Sequence, residues 1–323
     1  MGSDSNQVPK IPKIDLTGLH PSNPGGERWR AAKAEVAEAL FSHGCFEATF
    51  PSLSPELRQA MFGSCMQEIF ALPLETKHRL KTQQPYQGYI GQIPHLAYES
   101  LAFDDALSPA AAEDFTQLMW PEGNNSFRKT VMEFARTLHE LVEIVQRMMV
   151  ESLGVEKHYD SLVSSITYGV RMSEYGIPLN QETKISLDAH KDPNLITVVC
   201  QSEIDGLEVE NFDGDWVRVD ASPNSVTVLV GLSFQAWSNM RVRAPTHRVR
   251  VLGKEKRFSA LFSSRPSTNA IVKSPEELGD EDHPLLFKPF NYTELVKFLY
   301  SAEGMMTKDA FNAYCRISNE EAV

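Results

Sequence analysis

The chain has 323 residues, 42% hydrophobic and 23% charged, with 31 basic against 43 acidic side chains and a net charge of −12. That length supports one large domain or two ordinary ones with a sizeable core, and the acidity argues against nucleic acid or an anionic membrane as partner. No apolar run approaches the roughly 18 residues that cross a bilayer. The start, "MGSDSNQVPK", lacks a basic-then-apolar leader pattern, and Gly2 with Ser5 is only a fragment of a myristoylation signal. Cys45, Cys65, Cys200 and Cys315 are scattered without pair spacing. The expectation is a reduced, cytoplasmic, monomeric protein with mostly buried thiols.

Residues 1–10 read as a tail and "IPKIDL" as a short strand. "GERWRAAKAEVAEALFSHG" has helical periodicity, with Gly44 as its stop. "CFEATF" reads as a strand. "SPELRQAMFGSCMQEIFAL" opens a helix with Ser54 as N-cap and Pro55 in the first turn. Residues 76–108 lack long periodicity and hold the loop "PYQGYIGQIPH"; residues 125–153 form a long amphipathic helix ending at Gly154. From about residue 162 the character changes. "SSITYGVRMSEY", "NLITVVCQ", "LEVEN", "DWVRVD", "SVTVLVG", "HRVRVL" and "RFSALFSS" are short β-branched or alternating runs punctuated by turn residues, the signature of a sandwich or jelly-roll barrel. Helices return at "LVKFLY", after Asn291 and Glu294, and at "TKDAFNAY". The expected fold is α+β: a helical N-terminal region with a few strands (1–160) and a jelly-roll region with C-terminal helices (161–323), forming one structural unit.

The stretch "DAHKDPNLITVV" sets His190 two residues before Asp192, at the head of a β-rich run. On a strand, residues two apart share a face, so an imidazole and a carboxylate converge there. A third ligand must come from elsewhere. His247, opening "HRVRVL" 55 positions after Asp192, is the best candidate, reached across the barrel. His20, His43, His78, His95, His139, His158 and His283 fall in loops, helical patterns or element ends. Two histidines and a carboxylate are the facial triad of non-haem iron(II) oxygenases, and zinc can use the same set. Ten residues after His247 come Arg257 and Ser259, again two apart. An arginine turned into a barrel needs an anion, and a guanidinium fork beside a hydroxyl is a receptor for a carboxylate.

His190-Lys191-Asp192, His247 and Arg257-Phe258-Ser259, with "KIDL", "GCFEATF", "DGLEVENFDGDWVRV" and "THRVRV", resemble the plant-type iron(II)/2-oxoglutarate-dependent dioxygenases over nearly the whole chain. "GCFEATF", "DFTQLMWP", "LYSAEG" and "SPEELGDEDHPLLFKPFNYTE" are most similar to the AOP branch, named for oxidases of glucosinolate side chains. The resemblance implies a double-stranded β-helix core, Fe(II) on His190, Asp192 and His247, and 2-oxoglutarate with its distal carboxylate on Arg257 and Ser259. O2 is then the second co-substrate, with ascorbate in support. The family often adds an asparagine and a tyrosine toward the iron-proximal end of the co-substrate; Tyr175 matches the tyrosine, and Ser173 stands where the asparagine is common. Leu232 replaces an acid, and Met240 a glycine, whose loss limits access to positive φ. The carboxylate at Asp192 argues against halogenation, since a small residue there would open a halide position.

Along the Arg257 strand, alternation turns Leu261 and Ser263 inward. Other candidates for the substrate pocket are Tyr98, at the end of the Tyr-rich loop 86–98, Phe115 and the C-terminal helices. A mainly apolar pocket suits a small organic metabolite, hydroxylated, desaturated or dealkylated. Three rival readings share these residues: an iron oxidase of the same fold that does not use 2-oxoglutarate, a non-catalytic jelly-roll binder, and a zinc hydrolase.

Overall fold

The computed structural model describes residues 10–82, 84, 85 and 87–317. Twelve strands build two sheets: β1 (Lys13–Asp15), β2 (Cys45–Thr49), β3 (Gly88–Ile90), β4 (Tyr98–Asp104), β5 (Ile166–Tyr175), β6 (Ile185–His190), β7 (Ile196–Gln201), β8 (Leu207–Glu210), β9 (Trp216–Arg218), β10 (Ser225–Val230), β11 (His247–Arg250) and β12 (Arg257–Pro266). The larger sheet runs β1-β2-β10-β7-β12-β5-β4-β3 and the smaller β6-β11-β8-β9. A separate pair, β13 (Ile271–Val272) with β14 (Phe290–Asn291), follows the barrel.

Strand β7, "ITVVCQ", is buried at every position. It lies between β10 and β12, and a strand covered on both faces reads as a continuous apolar run. One cover is the helix Asn125–Ser152, which buries Val131, Phe134, Leu138, Leu141 and Val145 on a single stripe, the spacing of an amphipathic helix. Asn124 caps it by accepting from the Phe127 amide at 3.0 Å. The helix Glu27–His43 packs beside it and stops at Gly44, in the left-handed region at φ 70, which favours glycine. A Cβ at Gly44 would also lie 2.2 Å from the Arg243 carbonyl. All four cysteines are buried and unpaired.

Three local expectations fail. Residues 76–108 are more than a loop: they supply β3 and β4, and β4 pairs with β5 from Tyr98↔Tyr175 to Asp104↔Gly169. Its alternation is blurred because Glu99 and Ser100 are satisfied inside the protein, by the Lys77 ammonium at 2.7 Å and the Arg171 guanidinium at 2.7 Å. Asp192 is not on a strand with His190. Strand β6 ends at His190, and Asp192 stands in the turn to β7, where Pro193 has no N–H for a ladder. Met240 does adopt φ 65, and Asn239 φ 51. The Asn239 side chain holds this turn, donating to the Leu278 carbonyl at 2.9 Å and accepting from the Leu286 amide at 2.9 Å.

Candidate active site

The two histidines are direct neighbours rather than partners across a barrel: β11 pairs with β6, and His247 faces His190 in register. Their rings lie 4.3 Å apart, inclined by 54°. The turn brings Asp192 Oδ1 to 3.6 Å from His190 Nε2 and 3.8 Å from His247 Nε2. Together they offer three ligand atoms within 4.8 Å of one another. The turn is fixed from below. The Leu232 amide donates to the Asp192 carbonyl at 2.8 Å, and a Cβ on Gly231 would stand 2.2 Å from the Asn194 carbonyl. Leu232 serves this contact through its main chain while its side chain is buried, so the absence of an acid there leaves the turn's support intact.

Second partners orient each ligand. His190 Nδ1 lies 2.8 Å from the Asp188 carbonyl and His247 Nδ1 3.4 Å from that of Pro245. A carbonyl accepts only from a protonated nitrogen, so in each neutral ring the Nε2 atom keeps its lone pair for a metal. Thr197 donates to Asp192 Oδ2 and itself accepts from Asn194 at 2.7 Å. Burial would raise the Asp192 pKa, but His247, His190 and Thr197 outweigh it and hold the carboxyl well below its usual range. Burial and His190 pull His247 down to about 4 against the pull of Asp192. At His190 burial is outweighed by Asp192, and the pKa is raised. The trio thus presents one fixed negative charge and at least one neutral imidazole at neutral pH, a donor set that fits a divalent iron.

Arg257 is fully buried. Its Nη2 donates to Gln201 Oε1 at 2.7 Å and its Nε to the Ile204 carbonyl at 3.2 Å. Nη1 has no partner. Burial lowers its pKa, against the opposing pull of Tyr175 and Asp205. A buried cation with an unused donor calls for an anion, so the distal carboxylate of 2-oxoglutarate fits it. Gly206 makes room for Arg257, since a Cβ there would stand 2.7 Å from Nε and 2.8 Å from Cδ. Ser259 Oγ donates to the Tyr175 hydroxyl at 3.3 Å, and the Arg257 guanidinium lies 4.7 Å above the Tyr175 ring. Tyr175 therefore stands at the arginine end, not the iron-proximal end that the sequence suggested. Ser173, one pair of residues along, accepts or donates at 3.3 Å with the Tyr98 hydroxyl.

Both sheets wall a cavity of about 350 Å³ lined by His190, Asp192, His247, Arg257, Ser259 and Tyr175. Tyr98, Leu261 and Ser263 line it. Phe115 does not. It is 4% exposed, with its ring stacked on Phe103 at 4.5 Å and on Phe127 at 6.1 Å. The helix Pro109–Met119 spends its apolar face on the helical core. Tyr86 lies outside the described residues, while Gln84, Pro85 and Gln87 from the same loop reach the cavity. Sequence reading named the C-terminal helices without their residues, and Tyr292, Val296 and Tyr300 from them line the cavity; it passed over Arg171 and Arg265, which line it too. Arg265 continues the alternation of Arg257, Ser259, Leu261 and Ser263. Tyr292, Val296 and Tyr300 are spaced by four along and just beyond the helix Tyr292–Leu299, a stripe that periodicity could have shown.

Comparison with known proteins agrees with this geometry. Residues 166–266 match the 2OG-Fe(II) oxygenase superfamily, and residues 11–115 match the N-terminal region described as non-haem dioxygenase in morphine synthesis. An Arabidopsis thaliana protein named probable 2-oxoglutarate-dependent dioxygenase AOP1.2 is 40% identical, covering 96% of this chain and 99% of its own. A crystal structure of the rice dioxygenase for auxin oxidation superposes with a TM-score of 0.78 at 28% identity, over 95% of this chain and 100% of that one. The structure of JOX2 in complex with 2OG, Fe and JA shows the same fold, with a TM-score of 0.78 at 23% identity over 95% and 89% of the two chains. With its triad, its buried arginine and a relative this similar along almost its full length, the chain belongs to the iron(II)/2-oxoglutarate-dependent dioxygenases, jelly-roll oxidoreductases of the 2OG-Fe(II) oxygenase superfamily.

Proposed function

We propose that this dioxygenase oxidises a C–H bond of a small organic metabolite, of the kind found in plant specialised metabolism, by hydroxylation, desaturation or oxidative dealkylation. His190, Asp192 and His247 would hold the metal, and Arg257, Ser259 and Tyr175 the distal carboxylate of 2-oxoglutarate. The observation that carries this assignment is the fully buried Arg257 with its unpartnered Nη1, on the wall of the cavity that contains the triad. Fe(II), when bound, supplies the redox chemistry that couples O2 and 2-oxoglutarate to attack on an unactivated C–H bond.

The chain's own residues do the rest. The carbonyls of Asp188 and Pro245 keep both Nδ1 atoms protonated, which leaves Nε2 available in each neutral ring. Thr197 occupies Asp192 Oδ2 and leaves Oδ1 turned to the histidines. Gln201 and Ile204 fix the guanidinium, so a carboxylate arriving at Nη1 needs no rearrangement. Ser259 can turn its hydroxyl from Tyr175 to the same carboxylate. Leu207, Val249 and Val199 line the space between the two ends and exclude water from it. The net charge of −12 and the four buried, unpaired thiols support a cytoplasmic protein that binds neither nucleic acid nor membrane, and among the described residues no helix is long and apolar enough to cross a membrane.

The test is a metabolite-extract screen with Fe(II), ascorbate and 2-oxoglutarate. It follows succinate together with products that gain one oxygen, lose two hydrogens or lose one CH2. Product formed at full rate without 2-oxoglutarate would overturn the co-substrate assignment.

A further inference from the structure

Resting on the function just proposed, we infer that Arg58, from the N-terminal helical region, is a positioning residue for 2-oxoglutarate. It holds Gln201 in place, and Gln201 in turn aims the Arg257 fork at the distal carboxylate of the co-substrate.

Arg58 stands on the short helix Pro55–Gln59, which Ser54 caps by accepting from the Leu57 amide at 3.2 Å. Its side chain crosses to the larger sheet and is buried there. Nη2 donates to the carbonyls of Gln201 at 2.9 Å and Ser222 at 3.0 Å. Nη1 donates to Cys200 Sγ at 3.0 Å and to the Ser225 carbonyl at 3.4 Å. All four acceptors are neutral, since burial pushes the Cys200 thiol up to about 11 against the pull of Arg58. The ladder between β7 and β10 runs from Ile196 only as far as Val199, opposite Thr227. Beyond that pair Arg58 bridges the two strands, donating to the Gln201 carbonyl of one and the Ser225 carbonyl of the other. Buried carbonyls need donors, and a planar fork with several N–H groups can serve more than one at once. Arg58 therefore fixes the last residue of β7 where the ladder has run out.

Gln201 is the joint between this staple and the site. It is buried, and its side chain is fully engaged. Oε1 accepts from Arg257 Nη2 at 2.7 Å and from the Leu207 amide at 3.2 Å, and Nε2 donates to the Val219 carbonyl at 3.2 Å. One residue thus takes a guanidinium on its main chain and another on its side chain. With the backbone held by Arg58 and the amide held by Leu207 and Val219, Oε1 has a single position from which to orient Arg257. The carbonyl that fixes Arg257 Nε, from Ile204, lies three residues further along the same segment. Nη1 is left as the donor without a partner. The regions 11–115 and 166–266, matched to separate family models, are in this way joined at the co-substrate end of the site. Misplacing a binding group by about 1 Å can cost up to about 100-fold, so a lever behind the receptor can act as strongly as a direct contact.

Binding without turnover tests this. The full-length protein is loaded with Mn(II) under argon and titrated calorimetrically with 2-oxoglutarate. Arg58→Met should weaken 2-oxoglutarate binding about tenfold or more, while Mn(II) affinity without co-substrate stays within about twofold of the parent. Arg58→Lys keeps the charge and can reach one carbonyl, and should recover part of the loss. Gln201→Met should weaken 2-oxoglutarate at least as much, and adding Arg58→Met to it should cost little more, because both act through one contact. Circular dichroism checks that each variant is folded. Should Arg58→Met fail to fold, Arg58→Lys decides, with an expected loss of about threefold in 2-oxoglutarate affinity and none in Mn(II) affinity. A merely structural role for Arg58 would weaken Mn(II) and 2-oxoglutarate together and add in full to Gln201→Met. Either of those results, or unchanged 2-oxoglutarate affinity in the folded variants, overturns the inference and leaves the iron and co-substrate assignment standing. A parent protein that binds no 2-oxoglutarate strikes that assignment itself, and the inference with it.

Discussion

Gly206→Ala should separate the co-substrate end of the site from its metal end. A Cβ at Gly206 would lie 2.7 Å from Arg257 Nε, where ordinary contact begins at 3.4 Å, so the guanidinium must yield by about 0.7 Å (3.4 − 2.7). It has little freedom to do so. Nη2 and Nε are tied to Gln201 and Ile204, the Tyr175 ring closes one face, and Val249 Cγ1 is already 3.3 Å from the new carbon. A hydrogen bond to a charged group contributes about 1.5–3 kcal/mol. Displacing the fork should therefore weaken 2-oxoglutarate binding by about one to two orders of magnitude. Overpacking should also lower stability by about 1–3 kcal/mol. Titration calorimetry with Mn(II)-loaded protein under argon measures the first, thermal unfolding the second, and Mn(II) affinity without co-substrate should stay within about twofold of the parent. Unchanged 2-oxoglutarate affinity would refute the reasoning, because it would mean that Arg257 does not anchor the co-substrate in this position.

Thr197→Val removes the donor to Asp192 Oδ2 and should lower metal affinity about 10- to 100-fold, with Thr197→Ser restoring most of it; metal titration reads both. Ser263→Phe should fill the space over the metal ligands, abolishing substrate oxidation while 2-oxoglutarate binding at Arg257 persists, which calorimetry and product analysis separate. Glu208 sits between Arg248 Nε and Arg250 Nε, each at 2.8 Å. Burial would raise its pKa, but the two arginines outweigh it and the folded value lies below the usual 4.5. Its contribution to stability is therefore present above pH 4.5 and lost as pH falls through the lower folded value. Glu208→Gln should flatten that acid limb in urea unfolding followed against pH, and an unchanged limb would assign it to other groups.

Much of the candidate site is legible in the sequence because it is written in local codes. The two-residue step of a strand sets Arg257 with Ser259, Leu261 and Ser263, and the structure keeps all four on one cavity wall. The pairing of His190 with His247 depends on which strands become neighbours, and no local pattern encodes that choice. Asp192 converges with them for a reason that strand periodicity does not contain: its turn is held by the Leu232 amide and by the space at Gly231. The same limit explains β4, whose polar residues look solvent-facing until Lys77 and Arg171 are brought to them. Phe115 errs in the opposite direction. An apolar face on a helix announces burial without naming its cover, and here the cover is Phe103 and Phe127.

Among the described residues strand β6 has a neighbour on one side only, β11, and its register with that neighbour is irregular between His247 and Arg250. One of the three ligands thus hangs from an edge strand of the smaller sheet, while Asp192 is anchored by a main-chain bond from Leu232. Edge strands open at lower free energy than the body of a sheet. Loading and loss of the ion should accordingly follow the fraying of one short ribbon, and the larger sheet with its arginines can stay assembled through many cycles of metal exchange.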